Sequence, residues 1–414
     1  MTSNPSLCNC PTDRCEVSAV DVTGTVVIVG AGQAGLTAAV SLRESGWTGA
    51  IHLVGDEPGA PYQRPPLSKG FLAGTETEDD LVLRALQLFE RDGIGYRSST
   101  RVDAIARDDR MVRLADGTSL GYDQLILATG SAPRAISIPG AKSERVHIVR
   151  SYADALALRG SLAGAREVVI VGGGFLGLEV AAFAAKNSQV TVLERSGQLL
   201  SRAVSAPIAA SLAHSHAKQG VDIRYNTTVD AIVTGDGRAT GVELSDGAVI
   251  AADVVVVAVG ATPNTVLAEE AGLVAGNGFV VDGRLRTQDP RIRAIGDCAF
   301  HPNRHAGRAA RLESVQNAVD QARYVAKDLT EPSDTLYGSV PWFWSRQGDQ
   351  YLQIAGIAEP GDSAILETSG AAVTVTRVRD GKIVAIETLN SPGAHIRARR
   401  LLSSGPVLAS AVRL

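Results

Sequence analysis

One unit occurs twice in this chain and restricts its fold more than any other feature. An apolar strand runs into a glycine turn, an alanine-rich helix and a second apolar strand. The first copy, TVVIVGAGQAGLTAAVSLRESGWTGAIHLVGDE, spans 25–57, and the second, EVVIVGGGFLGLEVAAFAAKNSQVTVLER, spans 167–195. Each opens on a β-branched apolar run without polar alternation, the pattern of a parallel strand covered on both faces. A further repeat follows each copy. YDQLILATGSAPR (122–134) is echoed by ADVVVVAVGATPN (252–264), each an apolar strand ending in a glycine turn with a proline beyond.

These repeats predict an α/β chain with two Rossmann-like dinucleotide-binding domains. At roughly 150 residues per domain, 414 residues leave room for a third. From about 335 the chain alternates strand-like segments (AAVTVTRV, KIVAIETL) and ends in a helical tail, which reads as a smaller α+β domain. Asp116-Gly117, Asp236-Gly237 and Asp246-Gly247 mark hairpin turns in short antiparallel inserts. The expected division is a flexible tail over 1–24, a first domain over 25–134 and 262–334, a second inserted over 135–261, and a third over 335–414.

The glycine turns carry the chemistry. In Gly30-Ala31-Gly32-Gln33-Ala34-Gly35 and Gly172-Gly173-Gly174-Phe175-Leu176-Gly177, the glycines allow a tight turn and let backbone N–H groups approach a pyrophosphate at a helix N-terminus. An acid belongs at the end of the following strand, to hold a ribose hydroxyl. Asp56 and Glu57 stand there in the first copy and Glu194 in the second. A carboxylate at Glu194 accepts the 2′-hydroxyl of NAD and repels the 2′-phosphate of NADP, so NADH is expected, with Arg195 directly after it as a charge that softens the choice.

Composition excludes several classes. A net charge of −4 gives no reason to expect nucleic acid or an anionic membrane as partner. No apolar run reaches about 18 residues and the N-terminus has no secretory pattern, so the cytoplasm is the expected compartment. Cys8, Cys10 and Cys15 crowd the N-terminal tail without a CxxC pair or a fourth ligand, and Cys298 reads as a small buried filler. No metal site is expected, and His214 and His216, two apart, fall on different helix faces.

A third motif, TQDPRIRAIGDCA (287–299), delivers Gly296-Asp297 at the end of an apolar strand. It resembles the far-end FAD contact of the two-dinucleotide, glutathione-reductase-like flavoprotein superfamily. In that superfamily the N-terminal unit binds FAD and the inserted unit NAD(P)H. APYQRPPLSKGFL (60–72), RLESVQNAVDQA (311–322) and PWFWSRQ (341–347) are similar to its ferredoxin-reductase class, which includes putidaredoxin reductase and the reductase components of ring-hydroxylating dioxygenases. The resemblance covers residues from about 25 to about 390. Relatives with thiol chemistry carry CxxxxC after the first unit, CxxC in the middle domain, or one cysteine near Ser68-Lys69; here that stretch reads PPLSKGFL.

The resemblance implies FAD on Gly30, Gly32, Ala34, Gly35, Asp56, Arg64, Lys69, Val102, Ala128, Arg150, Gly296, Asp297 and Val315. It implies NADH on Gly172, Gly174, Phe175, Leu176, Gly177, Glu179, Glu194 and Gly260. Lys69 and Glu179 match a charged pair beside the flavin, with Glu179 two residues past the glycine loop on the first helical turn. The competing reading makes them a structural ion pair between domains. Trp344, with Lys69 and Glu179 a catalytic candidate, matches a tryptophan near the flavin and the proposed ferredoxin side in relatives, against a core-packing reading. Relatives commonly read WSDQ where this chain has Arg346. The implied activity is electron transfer from NADH through FAD to a [2Fe–2S] ferredoxin serving a cytochrome P450 or ring-hydroxylating oxygenase. A basic rim of Arg304, Arg308 and Arg311, or the IRARRLL segment (396–402), would meet an acidic ferredoxin. Monomer and homodimer both remain open. Two other readings compete: an NADH oxidase or rubredoxin- or nitrite-reductase-type flavoprotein, and an NADH-sensing flavoprotein like apoptosis-inducing factor.

Overall fold

The computed structural model describes residues 22–411, so the cysteines of the N-terminal tail lie outside the described residues. Two parallel sheets share one plan. The first runs Ile292–Ala294, Gln124–Leu127, Val26–Val29, Ile51–Val54, Ile94–Arg97. The second runs Val146–His147, Val254–Val257, Glu167–Val171, Gln189–Leu193, Val221–Arg224. In each, the strand before the glycine turn is central, and both its faces are covered. Val26, Val27 and Ile28 are fully buried, as is Ile170. The continuous apolar runs are therefore the requirement of a sheet clad on both sides.

Register confirms the sequence repeat. Val26 faces Ile51 and Gln124; Val168 faces Val190 and Val254. From the central strand the chain first pairs to one side and later returns on the other. That reversal opens a crevice at the carboxyl ends of the strands, where ligands of such sheets bind.

Gly30 (φ 107°) and Gly172 (φ 110°) take the left-handed conformation that these turns require. A Cβ at Gly30 would lie 2.2 Å from the Ala128 carbonyl oxygen, so the neighbouring strand also excludes any side chain there. The helices that follow, Gln33–Glu44 and Phe175–Ala184, start inside the glycine motifs. Glu179 is accordingly the fifth residue of its helix, past the first turn where the sequence reading put it.

Each unit carries a three-stranded antiparallel insert: Val102–Ala106, Met111–Leu114, Ser119–Gly121, and Val229–Gly235, Arg238–Leu244, Val249–Ala251. Asp236 (φ 50°) and Gly237 (φ 79°) form a two-residue hairpin loop of the kind that matches strand twist. The chain passes between the two sheets at Ser131–Pro133 and Ala261–Pro263, which pair antiparallel.

The last part is an antiparallel sheet ordered Trp342–Gln347, Gln350–Gly356, Lys382–Leu389, Ala372–Arg379, Ser363–Ser369, with helix Pro392–Ser403 packed on it. It is joined to the second unit by a buried carboxylate. Glu387, fully buried, accepts from the Ser205 amide at 2.8 Å and pairs with Arg377 at 2.8 Å. No helix among the described residues is long and apolar enough to cross a membrane.

Candidate active site

Both glycine turns open into one continuous cleft of about 1600 Å³, lined also by Lys69, Glu179, Asp297 and Trp344. A pocket for one small ligand measures roughly 300–1,000 Å³, so the volume suits two nucleotides end to end. A Cβ added at Gly32 would meet no protein atom within 4 Å, and one at Gly174 only the Ala258 oxygen at 3.8 Å. These backbone segments thus face open cleft, the exposure that a phosphate approaching N–H groups needs. The residues present fit a dinucleotide at each turn.

Of the residues proposed for the first nucleotide, Gly30, Gly32, Ala34, Asp56, Arg64, Lys69, Ala128, Arg150, Gly296, Asp297 and Val315 line the cleft. Gly35 does not. It lies beneath the turn, where a Cβ would be 1.8 Å from the Gly30 oxygen, and its role is helix-to-strand packing. Val102 is also not a lining residue; it starts an insert strand and packs half-buried against the first core. For the second nucleotide, Gly172, Gly174, Phe175, Leu176, Glu179, Glu194 and Gly260 line the cleft, and Gly177 is buried like Gly35.

The adjacent acids at the end of Ile51–Val54 have different partners. Glu57 is bound by Arg64 and by the Tyr62 hydroxyl. Burial and the Glu57 carboxylate raise the Tyr62 phenol to about 12, so it stays a donor. Asp56 is exposed to the cleft. At the other end, Asp297 accepts from the Ser131 hydroxyl at 2.9 Å and pairs with Arg150 at 3.4 Å. Burial, with the nearby Arg64 charge, lowers the Arg150 guanidinium.

Lys69 follows the short turn Pro65–Ser68, and Glu179 rises from the helix behind the second glycine turn. Their charges meet at 2.6 Å with both side chains largely withdrawn from water. The Ser68 hydroxyl also donates to Glu179. Lys69 Nζ lies 5.2 Å from the centre of the Trp344 ring, a cation–π distance. Lys69, Glu179 and Trp344 thus come from the three parts of the chain to one place in the cleft.

Glu194 is held by two backbone donors, Gly173 N at 2.8 Å and Ser196 N at 2.7 Å. A carboxylate has about four acceptor positions, so room remains for a ribose hydroxyl. Arg195 and Arg202, both exposed, line the same end.

Cys298 is fully buried, and burial raises its thiol; it donates to the Ile295 oxygen at 3.2 Å. It is the one cysteine among the described residues and is a filler, as expected. Of the basic rim, Arg304 and Arg308 are exposed and Arg311 is half-buried. Arg308 pairs with Glu359 at 3.1 Å. Arg311 turns inward to Glu313 and to the Asp297 carbonyl oxygen at 3.2 Å. Arg346 is exposed, over the Tyr351 ring at 4.8 Å.

Sequence reasoning missed Ser345, whose fully buried hydroxyl donates to Glu179 at 2.6 Å. It stands in the WSRQ segment, next to Trp344. His214 and His216 fall on different faces of their helix, as expected: His214 is exposed, while His216 is buried and hydrogen-bonded to Gln347 at 2.9 Å, a partner the sequence did not reveal.

Fold and cleft together define an oxidoreductase of the two-dinucleotide type. The chain belongs to the pyridine nucleotide-disulphide oxidoreductase family, whose pattern matches residues 24–322, with a reductase C-terminal pattern over 342–412. It is a flavoprotein of that family, using FAD with a nicotinamide nucleotide. It is 44% identical over 383 residues to rhodocoxin reductase of Rhodococcus erythropolis, covering 92% of this chain and 90% of the relative. Its structure resembles putidaredoxin reductase in the covalent putidaredoxin reductase–putidaredoxin complex, with a TM-score of 0.89 and 38% identity over 94% of this chain and 95% of that one. It also resembles the ferredoxin reductase for the CYP199A2 system from Rhodopseudomonas palustris, with a TM-score of 0.90 and 39% identity over 93% and 96%.

Proposed function

We propose that this protein is an NADH-dependent reductase of a [2Fe–2S] ferredoxin that supplies a cytochrome P450 or a ring-hydroxylating oxygenase. The observation that carries the reading is the Lys69–Glu179 pair at 2.6 Å in the cleft that both glycine turns line, with no cysteine in the PPLSKGFL stretch around Ser68-Lys69. The first unit, 25–134 with 262–334, would hold FAD, and 135–261 would hold NADH. A flavin bound there supplies the chemistry of accepting a hydride and releasing single electrons.

The chain's own residues bind, orient and exclude water. Gly30 and Gly32 present backbone to the first pyrophosphate, while Asp56 accepts from a ribose hydroxyl. Glu194 does the same on the second nucleotide and repels a 2′-phosphate. Lys69 brings positive charge to the place where electron density accumulates, in a site mostly closed to water, where such charge acts strongly. Glu179 holds Lys69 in place and walls the nicotinamide side. No side chain here need act as nucleophile.

Anaerobic mixing of the holoprotein with NADH in a stopped-flow instrument tests this reading. Rapid bleaching of the flavin band, followed by electron delivery to an added [2Fe–2S] ferredoxin, is expected. A flavin that stays oxidised at saturating NADH would contradict it.

A further inference from the structure

Glu179 is held from both sides, and only one side belongs to the cleft. Its Oε2 faces Lys69 and Ser68. Its Oε1 faces away, to Ser345 Oγ at 2.6 Å. Behind Ser345 the hydrogen bonds continue. Gln347 Nε2 lies 3.4 Å from Ser345 Oγ, and Gln347 Oε1 lies 2.9 Å from His216 Nε2. Ser345, Gln347 and His216 are at most 1% exposed.

The direction of this chain follows from counting protons. A carboxylate has none to give, so Ser345 must spend its single O–H on Glu179. Its oxygen is then free only to accept, which turns the NH₂ of Gln347 toward it. The amide oxygen of Gln347 is left facing His216, whose Nε2 must carry the ring proton. Burial lowers the His216 imidazole, in keeping with a neutral ring, and its Nδ1 has no partner among the described residues. Each link therefore donates toward Glu179, an arrangement in which successive bonds polarise one another.

The links come from different parts of the fold. His216 lies on helix Ala206–Lys218 of the second unit, while Ser345 and Gln347 alternate on the inward face of strand Trp342–Gln347. The C-terminal domain thus reaches the charged pair from behind through a buried, directed route. We infer that Ser345 is a positioning residue for hydride transfer: it fixes the Glu179 carboxylate, and through it Lys69, with Gln347 and His216 as its support. Ser345 does not line the cleft. The inference rests on the proposed role of Glu179 and Lys69 at the meeting point of the two nucleotides.

A double-mutant cycle on the holoprotein tests it, with the limiting rate of flavin bleaching by NADH and the apparent NADH Kd as readouts. Ser345→Ala should slow the limiting rate roughly tenfold, the scale of one hydrogen bond to a charged group, and leave Kd within about twofold. In a Glu179→Gln background the same substitution should add almost nothing, and Ser345→Thr should restore part of the rate. Equal slowing by Ser345→Ala in both backgrounds would mean simple packing and overturn the inference. So would a wild-type rate for Ser345→Ala when Glu179→Gln is slow. A wild-type rate for Glu179→Gln itself would instead refute the role given to the charged pair. If Ser345→Ala releases its flavin, Gln347→Met moves the test one link outward: flavin retained with a slowed rate supports the relay, and an unchanged rate contradicts it.

Discussion

Replacing Gly177 with alanine would put a methyl group 2.2 Å from the Gly172 oxygen and 3.2 Å from Ile170 Cγ2. Backbone lies on one side and a packed core side chain on the other, so helix Phe175–Ala184 must retreat by roughly 1 Å. Overpacking of this kind costs about 1–3 kcal/mol. Charged against the nucleotide that needs the helix close to its turn, that cost raises the NADH Kd roughly 5- to 150-fold. The first unit is untouched, so FAD should remain bound with an unaltered visible spectrum. Gly35→Ala is the mirror experiment. Its methyl group would lie 1.8 Å from the Gly30 oxygen, and it should lower FAD occupancy. Flavin content by absorbance and NADH Kd by anaerobic stopped flow read both effects. If Gly177→Ala sheds flavin while Gly35→Ala keeps it, the assignment of nucleotides to units is reversed and the reasoning fails.

Three further outcomes follow from the same geometry. Glu194→Ser removes the carboxylate that opposes a 2′-phosphate beside Arg195 and Arg202, and should lower the ratio of kcat/KM for NADH over NADPH at least tenfold. Burial lowers His301 to about 4, whereas the unfolded chain titrates near 6.5. The unfolded state therefore binds the extra proton first, so stability is complete above about pH 6.5 and falls as pH drops toward 4, by at most about 3 kcal/mol from this group; thermal midpoints from pH 7.5 to 4.5 check the sign. Charge reversal at Arg397 and Arg400, both exposed on helix Pro392–Ser403, should raise the ferredoxin KM at low salt and leave flavin bleaching by NADH unchanged.

Much of the architecture could be read from the chain because it is written twice. A buried parallel strand, a glycine turn and a returning strand leave periodic local signatures, and so do hairpin turns such as Asp236-Gly237. Asp380-Gly381, with φ 51° and 72°, carried the same signal in the C-terminal sheet and went unread. The charged pair was legible only through resemblance: Lys69 and Glu179 are far apart in sequence, and nothing local announces their contact. Ser345, Gln347 and His216 were less legible still. A buried serine or glutamine has no periodicity of its own, and its meaning arises only when a helix and a strand from different domains close on one carboxylate. The contacts of the arginine rim were illegible for a related reason. Composition shows charge, but Glu359 and the Asp297 carbonyl, which engage Arg308 and Arg311, are supplied by the fold.

In the proposed function, a hydride from NADH becomes single electrons for an iron–sulfur protein inside one cleft. The direct test is an anaerobic titration of the holoprotein with NADH in the presence of excess oxidised [2Fe–2S] ferredoxin, followed at flavin and cluster wavelengths. The flavin should be repeatedly reduced and reoxidised, with two ferredoxins reduced for each NADH consumed. Purified protein that is colourless and takes up no FAD, or NADH oxidation that leaves the cluster oxidised, would contradict it.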